Sequence, residues 1–116
     1  MSETPLTINE ILKTQEKLNV AMGNPMGMGQ KGVKENVLAA IVELVEVLDE
    51  INWKSWKLEA KPVDRQKLLT EMTDVLQFWA NMINCAGFTA EDVAESLSKK
   101  WVENHQRITK GEVTRG

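Results

Sequence analysis

The run Val37-Leu38-Ala39-Ala40-Ile41-Val42-Glu43-Leu44-Val45-Glu46-Val47-Leu48 decides how this chain folds. It is apolar apart from Glu43 and Glu46, whose spacing of three sets both on one side of a helix, Cβ atoms about 5–6 Å apart. Burying an acid is unfavourable unless something offsets it. Yet a second pair, Glu71 and Asp74, repeats the spacing inside another apolar stretch. Two such helices packed side by side would converge four carboxylates on one small volume. Oxygen-lined volumes of that kind bind hard divalent cations.

Outward from this run, helical periodicity occurs in four places and strand signals are nearly absent. The first helix is expected from about Thr7 to Met22, opened by a Thr7/Glu10 capping box. Its apolar stripe is Ile8, Ile11, Leu12, Leu18 and Met22, with Gln15 and Asn19 inside it. Residues 23–32 hold four glycines and Pro25, and read as a flexible loop. The second helix is expected from about Val33 to Trp56, with Pro62 closing the segment. A wide arc of it is apolar, and the narrow remainder carries Glu43, Glu46, Glu50, Trp53 and Lys57. The third spans about Asp64 to Ala86 and stops at Gly87. Leu68, Met72, Val75, Leu76, Trp79 and Ile83 are expected to point inward, with Glu71, Asp74 and Phe78 on the flank. Thr89 and Asp92 cap a fourth helix reaching about Thr109, with an apolar stripe of Val93, Leu97, Trp101 and Ile108. The tail from Gly111 to Gly116 is expected to fray.

Composition narrows the possible functions. A chain of 116 residues, 42% hydrophobic and 27% charged, fits a single domain with a core of its own rather than a disordered segment. No apolar run approaches the roughly 18 residues of a membrane span. The start, Met1-Ser2-Glu3-Thr4-Pro5, has no secretion-signal pattern. The single Cys85 excludes an internal disulfide and suits a reducing cytoplasm. With one His, a His/Cys zinc cage is not available within one chain. A net charge of −3 argues against broad nucleic-acid binding.

Each candidate group has a plain alternative. The four acids are either solvated helix residues or ligands, and acids without histidine favour Mg²⁺ or Mn²⁺. Such a site repels anions until metal binds, which points to a polyphosphate delivered with Mg²⁺. Lys54 reads as a solvated surface residue; Lys57 and Arg107 are either solvated or phosphate-binding, and Lys100 and Asn104 share a helix face with Arg107. Gln15 and Asn19 either bond to a neighbouring helix or read the edge of a nucleobase. Trp53, Trp56, Phe78, Trp79 and Trp101 are core candidates, and those near the acids are alternatively base-stacking residues.

Taken in order, these elements resemble the all-α nucleoside triphosphate pyrophosphatase superfamily, which holds the MazG proteins and the dimeric dUTPases. The dimeric dUTPase branch is the closer match. Its Leu-Gln-x-x-Leu-Asn element is seen as Thr14-Gln15-Glu16-Lys17-Leu18-Asn19, with Thr14 in place of the leucine. Its acidic pair and Trp/Lys element are seen as Glu43-Leu44-Val45-Glu46 and Trp53-Lys54-Ser55-Trp56-Lys57. Its Glu-x-x-Asp with following aromatics is seen as Glu71-Met72-Thr73-Asp74 and Phe78-Trp79, and a Lys-x-x-x-Asn-x-x-Arg element as Lys100 to Arg107. The chain departs from the pattern at Thr14, Val42 and Ser55, and lacks a Gly-Tyr after Arg107.

The resemblance implies an oligomeric all-α protein with a four-helix-core bundle; a site left open on one side by four helices, and the broad apolar arc of the second, favour a homodimer or dimer of dimers. It implies an Mg²⁺-dependent enzyme that cleaves dUTP to dUMP and pyrophosphate. It assigns Glu43, Glu46, Glu71 and Asp74 to the metal, with Glu43 or Glu46 orienting the attacking water. Gln15 and Asn19 would contact the uracil; Trp53, Trp56, Phe78 and Trp79 would flank it; Lys57, Lys100, Asn104 and Arg107 would hold phosphates. The competing expectations are a broader MazG-like pyrophosphatase acting on dCTP or modified nucleotides, and a non-enzymatic helical interaction module.

Overall fold

Four helices, α1 (Ile8–Ala21), α2 (Gly29–Asp49), α3 (Arg65–Ala86) and α4 (Ala90–Thr109), form the regular structure. They come from a computed structural model that describes residues 5–111. No strand occurs among these, so the all-α expectation holds. Residues 112–116 of the expected frayed tail lie outside the described residues. No helix described is long and apolar enough to cross a membrane.

Three helices begin where their caps place them. Thr7 and Glu10 make reciprocal backbone bonds at the start of α1, and Thr89 and Asp92 do the same for α4. Asp64 accepts from the amides of Gln66 and Lys67 to open α3. Gly87, at φ 81°, closes it in the left-handed conformation that glycine adopts without strain.

The second helix differs from expectation at both ends. It starts at Gly29, inside the stretch expected to be a loop, and stops at Asp49, before Trp53 and Lys57. The early start depends on packing rather than propensity. A Cβ at Gly32 would lie 2.6 Å from both Cys85 Sγ and the Gly27 carbonyl, so glycine permits the closest approach of α2 to α3. The remaining loop is ordered by turns, with Asn24 N donating to Asn19 O and Gly27 N to Asn24 O. The early stop coincides with a side-chain clasp. Asn52 accepts from Lys61 N and donates to Lys61 O, both at 2.9 Å, and closes residues 52–61 into a loop. Trp53, Trp56 and Lys57 therefore sit on a loop, not on the acid-bearing arc of a helix.

α2 and α3 run antiparallel, with Gly32 against Cys85 at one end and Lys67 paired to Glu50 at 3.3 Å at the other. α1 lies across α3 in the same sense, with Leu12 O accepting from Asn84 and Gln15 reaching Asn81. The faces are the reverse of a simple amphipathic reading. The narrow acidic arc of α2 meets α3, while Leu38, Ile41, Val42, Leu44 and Val45 are each at least 50% exposed. On α3, Met72 and Leu76 are exposed, and the flank of Glu71, Asp74 and Phe78 is half-buried. The buried set is small: Leu12, Ala40, Ala80 and Cys85 with the amides Gln15, Asn36 and Asn81. Among the described residues α4 packs only lightly, on α1. The radius of gyration is 17.5 Å, against about 13 Å for a compact domain of this length.

Candidate active site

One stripe of α3, Glu71, Asp74, Phe78, Asn81 and Cys85, advances by alternating threes and fours. That spacing keeps all five on one face of the helix. Opposite it, α2 presents Gly32, Asn36, Glu43 and Glu46. The α2–α3 seam therefore changes character along its length, from small residues through amides to acids.

At the acid end, one carboxylate oxygen from each of Glu43, Glu46 and Glu71 lies within 4.8 Å of the others. Glu43 and Glu71 are half-buried and Glu46 is exposed. Crowding raises the affinity for protons. Glu43 is pushed up to about 7, first by hydrogen bonding with Glu46, then by burial, then by the charges of Glu46, Asp74 and Glu71. Glu71 is raised as well, again first by Glu46. Asp74 is not among the three clustered oxygens, but its charge acts on both groups. Glu50, on the same arc of α2, has a cation in Lys67.

The donor set fits a hard divalent cation on one observation of this structure. Glu43 Oε2 and Glu71 Oε2 are buried without a hydrogen-bond partner. Such atoms are costly unless something satisfies them, and three carboxylates with no nitrogen or sulfur ligand suit Mg²⁺ or Mn²⁺.

Beyond the acids along the seam, the chain encloses a cavity of about 450 Å³ between α1, the 22–28 loop, α2 and α3. Its polar wall includes Asn19, Asn36, Asn81 and Asn84; its apolar wall includes Phe78 and the loop methionines. The size lies within the range of small-ligand sites. Asn81 Oδ1 accepts from Gln15 Nε2 at 3.1 Å and from Asn19 Nδ2 at 2.8 Å. Both readings of Gln15 and Asn19 thus meet in one place: they bond to a neighbouring helix, and Asn19 also lines the cavity.

The other candidates are scattered. Trp53 and Trp56 stack edge to face at 5.8 Å, with Lys54 5.3 Å above the Trp53 ring. Trp53 and Lys57 border an open depression of the 50–64 loop, and Trp79 and Lys100 border a groove beside the start of α4. Asn104 and Arg107 lie further along α4, whose backbone makes no close approach to α2 or α3. Of the expected aromatic set, only Phe78 reaches the amide-lined cavity. Asn36, Asn81 and Asn84 are additional polar groups that the sequence reading passed over. Of these only Asn81 had a signal in the sequence, as the continuation of the Glu71–Asp74–Phe78 stripe by three residues.

An all-helical chain whose α2–α3 seam carries an acid cluster and, further along, an amide-walled cavity has the form of a helical nucleotide pyrophosphatase. The comparison with known families agrees. A family model described as dUTPase matches residues 7–85, and the chain belongs to that family. The matched span takes in α1, α2 and nearly all of α3, so Lys100, Asn104 and Arg107 fall outside it. No curated protein and no solved structure matches the chain significantly.

Proposed function

We propose that this dUTPase-like nucleotide pyrophosphatase is Mg²⁺-dependent and hydrolyses dUTP to dUMP and pyrophosphate. The observation that carries the reading is the Glu43–Glu46–Glu71 cluster with its two orphaned buried oxygens, on the same α2–α3 seam as a cavity of small-ligand size. Glu43, Glu46 and Glu71, flanked by Asp74, hold the cation. When bound, Mg²⁺ supplies the charge that lets a polyphosphate approach four acids and makes a water more acidic. Glu43 and Glu46 orient the attacking water. Glu46, the exposed member, is the one open to take its proton. Hydrolysis opens the α–β anhydride and releases pyrophosphate. Asn19 and Phe78 contact the base, and Gln15 acts behind them through Asn81.

Lys57, Lys100, Asn104 and Arg107 are proposed to hold phosphates. The isolated chain does not bring α4 to the acids, so this role requires α4 to close or a second copy to contribute. The exposed apolar arc of α2 favours the second copy, as a homodimer or dimer of dimers. Light scattering of the purified chain tests that assembly, and a monomer at micromolar concentration rejects it.

A pyrophosphate-release screen over deoxynucleoside and ribonucleoside triphosphates, with Mg²⁺ and with chelator, tests the activity. Mg²⁺-dependent release greatest from dUTP supports the reading. Comparable or greater release from dCTP or a modified nucleotide favours the broader MazG-like activity. No release from any nucleotide leaves the helical interaction module.

A further inference from the structure

The amides on the cavity wall are not free to present either end. Asn36 Nδ2 donates to Gly32 O at 2.8 Å, and Asn84 Nδ2 donates to Leu12 O at 2.9 Å. Turning the Asn36 amide over would set its oxygen against a carbonyl oxygen, so the orientation is fixed. What remains is Asn36 Oδ1: buried, without a hydrogen-bond partner, on a residue only 2% exposed. An unsatisfied buried acceptor costs stability unless a ligand or water donates to it. Asn81 complements it. Its Oδ1 is occupied by two donors, and its Nδ2 makes no hydrogen bond among the described residues. Asn36 and Asn81 both line the cavity, and between them they hold an acceptor and a donor that no other described group uses.

A pyrimidine imide presents the matching edge, a ring N–H between two carbonyl oxygens. Cytosine presents an acceptor nitrogen at the same ring position. Asn36 stands seven residues before Glu43, about 10 Å along the helix axis, a separation on the order of a nucleoside's length.

We propose that Asn36 is a specificity-determining residue of the nucleotide site, its Oδ1 accepting the ring N–H of a uracil-type base and disfavouring cytosine. The proposal rests on the reading of the site given above. It extends that reading to a residue outside the motifs that carry the family resemblance.

Calorimetric binding of α,β-imido-dUTP in Mg²⁺, compared with its N3-methyl derivative and with α,β-imido-dCTP, tests it without needing turnover. The unaltered chain should bind the parent at least about tenfold more tightly than either analogue. Asn36→Ser keeps a hydroxyl able to bond to Gly32 O but withdraws the acceptor from the cavity. It should weaken binding of the parent, leave the N3-methyl derivative unchanged, and so close the gap. Equal binding of parent and analogues by the unaltered chain overturns the proposal, as does no binding of the parent. Parallel losses on parent and derivative in Asn36→Ser also overturn it, because they mark a structural role. If that variant does not fold, the three ligands on the unaltered chain decide. Selective binding without pyrophosphate release from dUTP would remove the catalytic reading and leave this inference standing; release without base selectivity would do the reverse.

Discussion

The two ends of the α2–α3 seam bury polar atoms by opposite means. At the Gly32–Cys85 end the protein satisfies most of them itself: Gln15 and Asn19 donate into Asn81, and Asn84 donates into Leu12 O. At the Glu43–Glu71 end like charges crowd together, and two buried oxygens have no partner. The amide end is nearly complete as folded, whereas the acid end needs protons or a cation to complete it. Substitutions should therefore act with opposite signs at the two ends. Removing a charge from the acids should relieve the metal-free fold and abolish function, and removing an amide should weaken the fold.

The largest effect is expected at the acids. Glu46→Gln should lower Mg²⁺-dependent pyrophosphate release by about a thousandfold or more, the scale of losing several kcal/mol of transition-state charge stabilisation. In chelator the same variant should unfold at an equal or higher temperature than the parent chain, because a repulsive neighbour of Glu43 and Glu71 has gone. A lower unfolding temperature in chelator would show that Glu46 stabilises the fold, and would break the contrast.

At the other end Gly32→Ala should be the most damaging small change. Its Cβ would meet the Gly27 carbonyl and Cys85 Sγ, each at 2.6 Å. Overpacking of that kind costs about 1–3 kcal/mol. Each kcal/mol lowers the melting temperature by roughly 4–8 °C in a small domain. Cys85→Ala in the same chain should recover part of the loss, not all, since the backbone clash stays. Full recovery would place the whole conflict at the sulfur.

That glycine also shows where the sequence was legible. α1, α3 and α4 carry local start signals in Thr7, Asp64 and Thr89, and their bounds agree closely with expectation. The limits of α2 depend on distant partners. Gly32 belongs to a helix because Cys85 faces it, and the helix stops near Asn52, whose amide is bound to Lys61. Of the candidate site, Glu43, Glu46 and Glu71 were legible because a spacing of three on two apolar helices has few other packed solutions. The aromatic set was not, because placing Trp53 and Trp56 beside the acids required α2 to continue to Trp56, whereas it stops at Asp49. Asn36 and Asn81 drew no reading as a pair, and only the antiparallel pairing of α2 with α3 shows that they share one wall.

A gentler probe of the amide end is Asn81→Ala. It leaves Gln15 Nε2 and Asn19 Nδ2 without their shared acceptor. An unsatisfied buried donor costs about 1–3 kcal/mol, reduced here because Asn19 is only half-buried and can turn to water. Thermal unfolding should show a modest loss, largely restored in Asn81→Asp, which keeps an oxygen in place. An unchanged melting temperature in Asn81→Ala would mean that the amide end is not held together by this acceptor.

The smallest expected effect is on stability against pH, and its direction separates the two ends most cleanly, since the amides do not titrate. Glu43 is raised from 4.5 to about 7 and Glu71 is raised too, so the folded acid cluster binds protons that the unfolded chain has released. Groups raised on folding contribute stability that is fully present below the unfolded value and is lost as pH rises through the folded one. In chelator, the melting temperature should therefore fall between about pH 4.5 and 7, and Glu43→Gln should flatten that fall relative to the parent chain. Mg²⁺ competes with the same protons, so its stabilising effect should grow as pH rises over this window. Melting curves across pH 4.5–8, with chelator and with Mg²⁺, provide the test. An identical slope in the parent chain and Glu43→Gln would mean that the acids do not share protons, and with that the electrostatic difference between the two ends would disappear.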